Sequence, residues 1–156
     1  MISLKKQKGF TLVELLIVII IIGILATLVI VTFSGVQAKA RDSQRQTDID
    51  ALNSHIQAYY AEHGWYPTLA QIQSSTWVSA NMKGLDPDAL LAPNSTTQID
   101  AAAATTSKYQ YNPTESTNSA AACTSADVNT NDTICDTFVV AAKLEADGST
   151  FSKSSN

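Results

Sequence analysis

The chain has 156 residues, 15% of them charged, and a formal net charge of −4. That is room for one modest domain, and the excess of acid excludes a broad basic surface for a nucleic-acid backbone. No nucleophile elbow, Gly-rich phosphate loop or HExxH pattern occurs, which removes the enzyme classes that announce themselves by such motifs.

The first nine residues, "MISLKKQKG", carry Lys5, Lys6 and Lys8 and no acid, so the positive-inside tendency keeps this end in the cytoplasm and exports the remainder of the chain. Phe10 to Phe33 is an apolar run of 24 residues. As a helix it measures about 36 Å, enough for a hydrocarbon core of about 30 Å and longer than the apolar part of a cleaved secretory signal, so it reads as a retained membrane anchor. Within it Glu14 is the one charged residue between Gly9 and Ala38. An acid inside a span costs roughly 2.5–3.5 kcal/mol on insertion scales. Its own helix offers no cation, so either another chain supplies one or the carboxyl stays protonated. Residues 15 to 33 are apolar on every side, with Gly23 a thin point for close helix approach.

Beyond Phe33 the pattern becomes one-sided. Ile49, Leu52, Ile56 and Tyr59 recur at intervals of three and four, with Arg41, Arg45, Asp48 and Asp50 off that stripe. The spacing predicts an amphipathic continuation of the same helix, closed by Gly64 and by Pro67, the first proline of the chain. Phe10 to His63 then forms one helix of roughly 80 Å, with Ser34 and Gly35 as soft positions where the two halves meet.

Residues 64–156 form a small head. "TLAQIQ" and "PDALLA" read as short helical turns capped by Thr68 and Asp86, with Pro87 opening the second. "KYQY" at 108–111 and "TFVVAAKLE" at 137–145 read as strands, and Asp147-Gly148 as a two-residue hairpin that returns "STFS" antiparallel. The fold class is α+β: a long N-terminal helix, half transmembrane and half amphipathic, packed through its stripe on an antiparallel sheet of three to four strands. The divisions fall at residues 1–9, 10–35, 36–63 and 64–156.

Cys123 and Cys135 bracket a polar loop in a segment read as exported, where a disulfide is the natural state and a pair of free thiols the alternative. Closing that loop stabilises the head by about 3 kcal/mol in the chain-entropy model. "DVNTND" at 127–132 begins like a calcium loop, then puts Asp132 where glycine belongs and Phe138 where the closing glutamate belongs, so a solvated turn is the reading, calcium is the lesser alternative, and no other metal or cofactor is assigned. His55 and His63 lack metal-ligand companions and belong to the helix surface. "NST" at 94 and "NDT" at 131 match a glycosylation acceptor pattern that is frequent by chance in so Ser/Thr-rich a head.

The lysines before Gly9, then Phe10 and "TLVELLIVIIIIGILA" with Glu14 five residues past the glycine, resemble the N-terminal signature of type IV pilins and the pseudopilins of type II secretion. The resemblance is specific over residues 5 to 26, continues along the helix ending in "YYAEHGWYPT", and is only architectural from Leu69 to the end. It implies that residues 1–9 are a leader, that a prepilin peptidase cuts between Gly9 and Phe10 and methylates the Phe10 amine, and that Glu14 recruits an incoming subunit by pairing with that subunit's amine. It also implies partners: further copies of the chain in a helical homopolymer, the assembly platform with its ATPase, and the membrane before assembly, with no direct nucleic acid. The chain then reads as a structural subunit of an extracellular type IV pilus for adhesion, motility or cell contact. A pseudopilin of a secretion or DNA-uptake system and a single-pass anchored enzyme or sensor are the alternatives.

Overall fold

Helix α1 runs Leu12–His63, 52 residues, in a computed structural model that describes residues 9–115, 123 and 134–155. Lys5, Lys6, Lys8, the "DVNTND" segment and the "NDT" acceptor lie outside the described residues. Two compact units are present, one ending at Gln37 and the other beginning at Ala38, and α1 contributes to both.

In the first unit the large apolar side chains described from Leu12 to Val36 are all at least 46% exposed. Gly23 and Gly35 lie within the helix, where a Cβ at either would meet nothing within 4 Å. The Thr27 hydroxyl donates back to the Ile24 carbonyl at 2.7 Å, so this polar side chain is satisfied by its own helix. By length and composition α1 is able to cross a membrane.

The second unit is built on the amphipathic part of α1. Ile49, Leu52 and Ile56 are fully buried and Tyr59 nearly so, as the three-four spacing requires. Gly64 ends the helix at φ 84° with its N–H on the Tyr60 carbonyl at 2.7 Å, a left-handed closure that an L side chain adopts only with strain.

Two short helices come next. α2, Leu69–Gln73, starts from a reciprocal box: Gln71 N donates to Thr68 Oγ1 at 3.3 Å and Thr68 N donates to Gln71 Oε1 at 2.8 Å. α3, Ser75–Asn81, is absent from the sequence expectation, because "STWVSAN" buries only Val78 and has no apolar period; Ser74 caps it by accepting from Trp77 N at 3.3 Å. Asp86 and Pro87 open a turn as expected, and the turn is a 3-10 helix, Pro87–Leu90.

The sheet has three antiparallel strands in the order β1 (Gln110–Thr114), β2 (Thr137–Lys143), β3 (Thr150–Ser154). β1 begins two residues later than "KYQY" suggests and runs through Pro113, which sits opposite Phe138. Proline is admissible there because β1 is an edge strand. The hairpin also differs. Strand pairing stops at Lys143–Thr150, so Asp147 and Gly148 lie inside a longer connection, residues 144–149. Asp147 Oδ1 accepts from Ser149 N at 2.9 Å, and Leu144 N donates to the Ser149 carbonyl at 2.9 Å, which shapes the turn around an aspartate cap rather than a two-residue reversal.

Ile49, Leu52 and Ile56 share one buried cluster with Ile72, Val78, Ile99, Tyr109, Tyr111, Phe138 and Val140. The aromatic rings carry their polar tips to partners: the buried Tyr111 hydroxyl donates to the Pro67 carbonyl at 2.6 Å. Arg45 lies off the apolar stripe and is nonetheless 0% exposed, and Asp42 beside it is 5% exposed. Both face the β2–β3 connection, which supplies their hydrogen-bonding partners at Glu145 and Ala146.

Candidate functional site: the start of helix α1

Gly9, Phe10 and Thr11 precede the helix, and Phe10 is 88% exposed. Thr11 and Glu14 close the helix start on each other. Thr11 N and Thr11 Oγ1 each donate to Glu14 Oε2 at 2.8 Å, while Glu14 N donates to Thr11 Oγ1 at 3.2 Å. This is a capping box: two of the free donors of a first helical turn are satisfied reciprocally, and a carboxylate sits where the helix dipole favours it. The acid that looks partnerless in the sequence thus has hydrogen-bond donors in its own chain. It has no ion-pair partner among the described residues. The box was legible, since Thr-x-x-Glu directly before an apolar run is its signature, and Thr11 is the residue that sequence reasoning passed over.

Phe10, Glu14, Leu15 and Val18 line a shallow apolar cleft at this end of the helix. The geometry leaves the Gly9–Phe10 bond outside the helix, a single acid at the helix start, and apolar surface around the whole of the segment beyond it. Such a segment is suited to lipid or to other apolar helices.

Elsewhere the remaining sequence candidates are placed. Cys123 and Cys135 are joined, with Cα atoms 5.4 Å apart, and both are buried. Cys135 also anchors the end of the α1 connection by accepting from Tyr66 N at 2.7 Å. His63 stacks on Tyr59 with ring centres 4.0 Å apart, and its Nδ1 lies 3.0 Å from the Tyr59 carbonyl. Among the described residues no group of three His, Cys, Asp or Glu converges for a metal ion. Asn94 is exposed at φ 59°, in a turn closed by Ser95 N on the Ala92 carbonyl at 3.0 Å.

A buried charge cluster went unread in the sequence. Arg45 Nη1 donates to Asp42 Oδ1 at 2.9 Å, and Nη2 donates to the Thr106 carbonyl at 2.7 Å and to Glu145 Oε1. Asp42 in turn accepts from Glu145 N at 2.7 Å and Ala146 N at 2.8 Å. Arg41 Nη2 meets Glu145 Oε2 at 2.5 Å. The Arg41 bond first, and Arg45 after it, hold the Glu145 carboxyl down at about 2. Nearby, Tyr109 donates to Asp48 Oδ2 at 2.7 Å. Burial pushes the Asp48 carboxyl up despite that bond, and the charges of Asp86 and Asp88 add to the rise.

Comparison with known proteins points to the same end of the chain. A family described as the prokaryotic N-terminal methylation motif matches residues 4–30. Type II secretion system core protein G of Dickeya chrysanthemi is 40% identical over 67 residues, covering 43% of this chain and 44% of that protein. The protein of the same name from Escherichia coli K12 is 42% identical over 66 residues, with coverage of 42% and 46%. A fimbrial protein of Neisseria meningitidis is 41% identical over 73 residues, with coverage of 45% and 43%. The chain spans less than half the length of these relatives. No solved structure matches it significantly.

Proposed function

From the place of its N-terminal segment in the family of type IV pilins and type II secretion pseudopilins, we propose that this chain is a structural subunit, not an enzyme, of an extracellular type IV pilus. The observation that carries the reading is the start of α1: one acid, Glu14, on a helix whose apolar side chains from Leu12 to Val36 are exposed on every side. A prepilin-type signal followed by such a helix indicates a membrane anchor. In the proposed cycle the leader with Lys5, Lys6 and Lys8 stays cytoplasmic, a peptidase cuts between Gly9 and Phe10, and the Phe10 amine is methylated. Transfer from lipid to filament exchanges one apolar surrounding for another, which costs the helix little. Glu14 gains most, because a subunit's Phe10 amine offers the cation that its own described chain does not. Assembly platform, ATPase and further copies of the chain are the implied partners, and no cofactor is assigned. Adhesion, motility or cell contact is the use of the filament.

A second reading, a pseudopilin of a secretion or DNA-uptake system, is favoured by the relatives named as core protein G. The two readings share their physics and differ in where the polymer ends. Intact mass of the N-terminal peptide from native cells, with negative-stain microscopy of material sheared from the surface, separates them. Methylated Phe10 in thin surface filaments is the expected result. A mature Phe10 without surface filaments moves the assignment to the pseudopilin, and an intact Met1 on the cellular protein sinks both.

A further inference from the structure

We infer that the head contains a cation site whose resident occupant is the Arg45 guanidinium, and that the site takes a free guanidinium ion when that side chain is cut away. Three oxygens surround the fork: Asp42 Oδ1, Glu145 Oε1 and the Thr106 carbonyl. All the polar contacts are made by the two terminal nitrogens, while Nε is buried without a partner. The stem therefore adds reach and packing but no hydrogen bond, and a free guanidinium can reproduce what the side chain provides.

The oxygens do not depend on Arg45 for their orientation. Asp42 is held by the backbone N–H groups of Glu145 and Ala146 at 2.7 and 2.8 Å. Glu145 is held by Arg41, whose Nε lies 3.0 Å from Oε2. Removing Arg45 thus leaves the cage standing. Charge points the same way: Arg41 and Arg45 balance Asp42 and Glu145, and without Arg45 a single, partly exposed Arg41 faces two carboxylates. A vacated, negatively charged pocket of preset oxygens selects a small cation, and acceptors that already take the two terminal nitrogens of one guanidinium match a free guanidinium better than a spherical ion.

The test is thermal unfolding of the full chain in detergent micelles, wild type against Arg45→Ala and Arg45→Lys, in low millimolar guanidinium chloride or the same concentration of sodium chloride. Arg45→Ala is expected to melt on the order of 10 °C lower in sodium chloride and to regain part of that loss, saturably, in guanidinium. Wild type and Arg45→Lys, whose sites hold a side-chain cation, are expected not to respond. If Arg45→Ala is unfolded in sodium chloride, refolding on addition of guanidinium is the expected result. Absence of any gain for Arg45→Ala, or an equal gain in Arg45→Lys or wild type, overturns the proposal.

Discussion

Glu14 Oε2 accepts from both the backbone N–H and the hydroxyl of Thr11, each at 2.8 Å. Glu14 therefore has two separable capacities. As an acceptor it starts the helix; as a charge it is available to a cation that the described chain does not provide. The first is worth about 0.5–2 kcal/mol for a cap, and a neutral side chain can do it. The second needs the negative charge.

Glu14→Gln separates them, because glutamine at this position of a capping box can still accept from Thr11. If the charge drives assembly, Glu14→Gln and Glu14→Ala are both expected to insert, to be processed at Gly9–Phe10, and to yield few filaments by shearing and microscopy. Normal filament yield from Glu14→Gln alone would reassign the acid to helix capping.

The Asp48–Tyr109 bond predicts a stability profile that runs against the usual one for a carboxylate. Asp48 is pushed up in the fold, mainly by burial, so its contribution is fully present below its unfolded value and is lost as pH rises through the folded one. Asp48→Asn is therefore expected to stabilise the head at pH 7 relative to pH 4. Tyr109→Phe removes the donor from the charged form and is expected to cost about 1–3 kcal/mol at neutral pH, less in acid. Urea unfolding of both variants at the two pH values checks the signs. A pH-independent effect of Tyr109→Phe would mean that packing alone is lost.

What the sequence made legible was whatever repeats locally. The stripe Ile49, Leu52, Ile56, Tyr59, the cap at Thr68 and the body of β2 each depend on neighbours within a few residues, and each stands in the fold. The Gly9, Phe10, Glu14 pattern falls inside the matched methylation motif for the same reason. Arg45 was not legible. Its partner Glu145 is 100 residues away, and an arginine between polar neighbours on a helix looks solvated until the hairpin that covers it is known. β1 was displaced because an edge strand is set by pairing with β2 rather than by its own alternation, and α3 was missed because one buried valine leaves no period.

Cys123–Cys135 closes its loop from within the buried core cluster. Replacing both cysteines by serine, or reducing the bond, is expected to cost about 3 kcal/mol in the chain-entropy model. The loss should appear as a lower denaturant midpoint with little change at the start of α1, since the cysteines belong to the other unit. A midpoint unmoved by reductant would mean that the bond contributes nothing to the head.

Glu145 gives the acid limb of the same stability curve. Its carboxyl falls from an ordinary 4.5 to about 2, first through the Arg41 bond and then through Arg45. A depressed carboxyl contributes stability that is complete above the unfolded value and disappears as pH drops toward the folded one. Loss from this group should thus begin below about pH 4.5 and finish near pH 2, where protonated Glu145 no longer answers the buried Arg45. Asp48 runs the opposite way, since its contribution falls as pH rises while that of Glu145 is retained. Glu145→Gln should flatten the acid limb and lower stability at pH 7, because Arg45 then keeps Asp42 as its one charged partner. A Glu145→Gln head with an unchanged acid limb would show that other carboxylates set the acid unfolding.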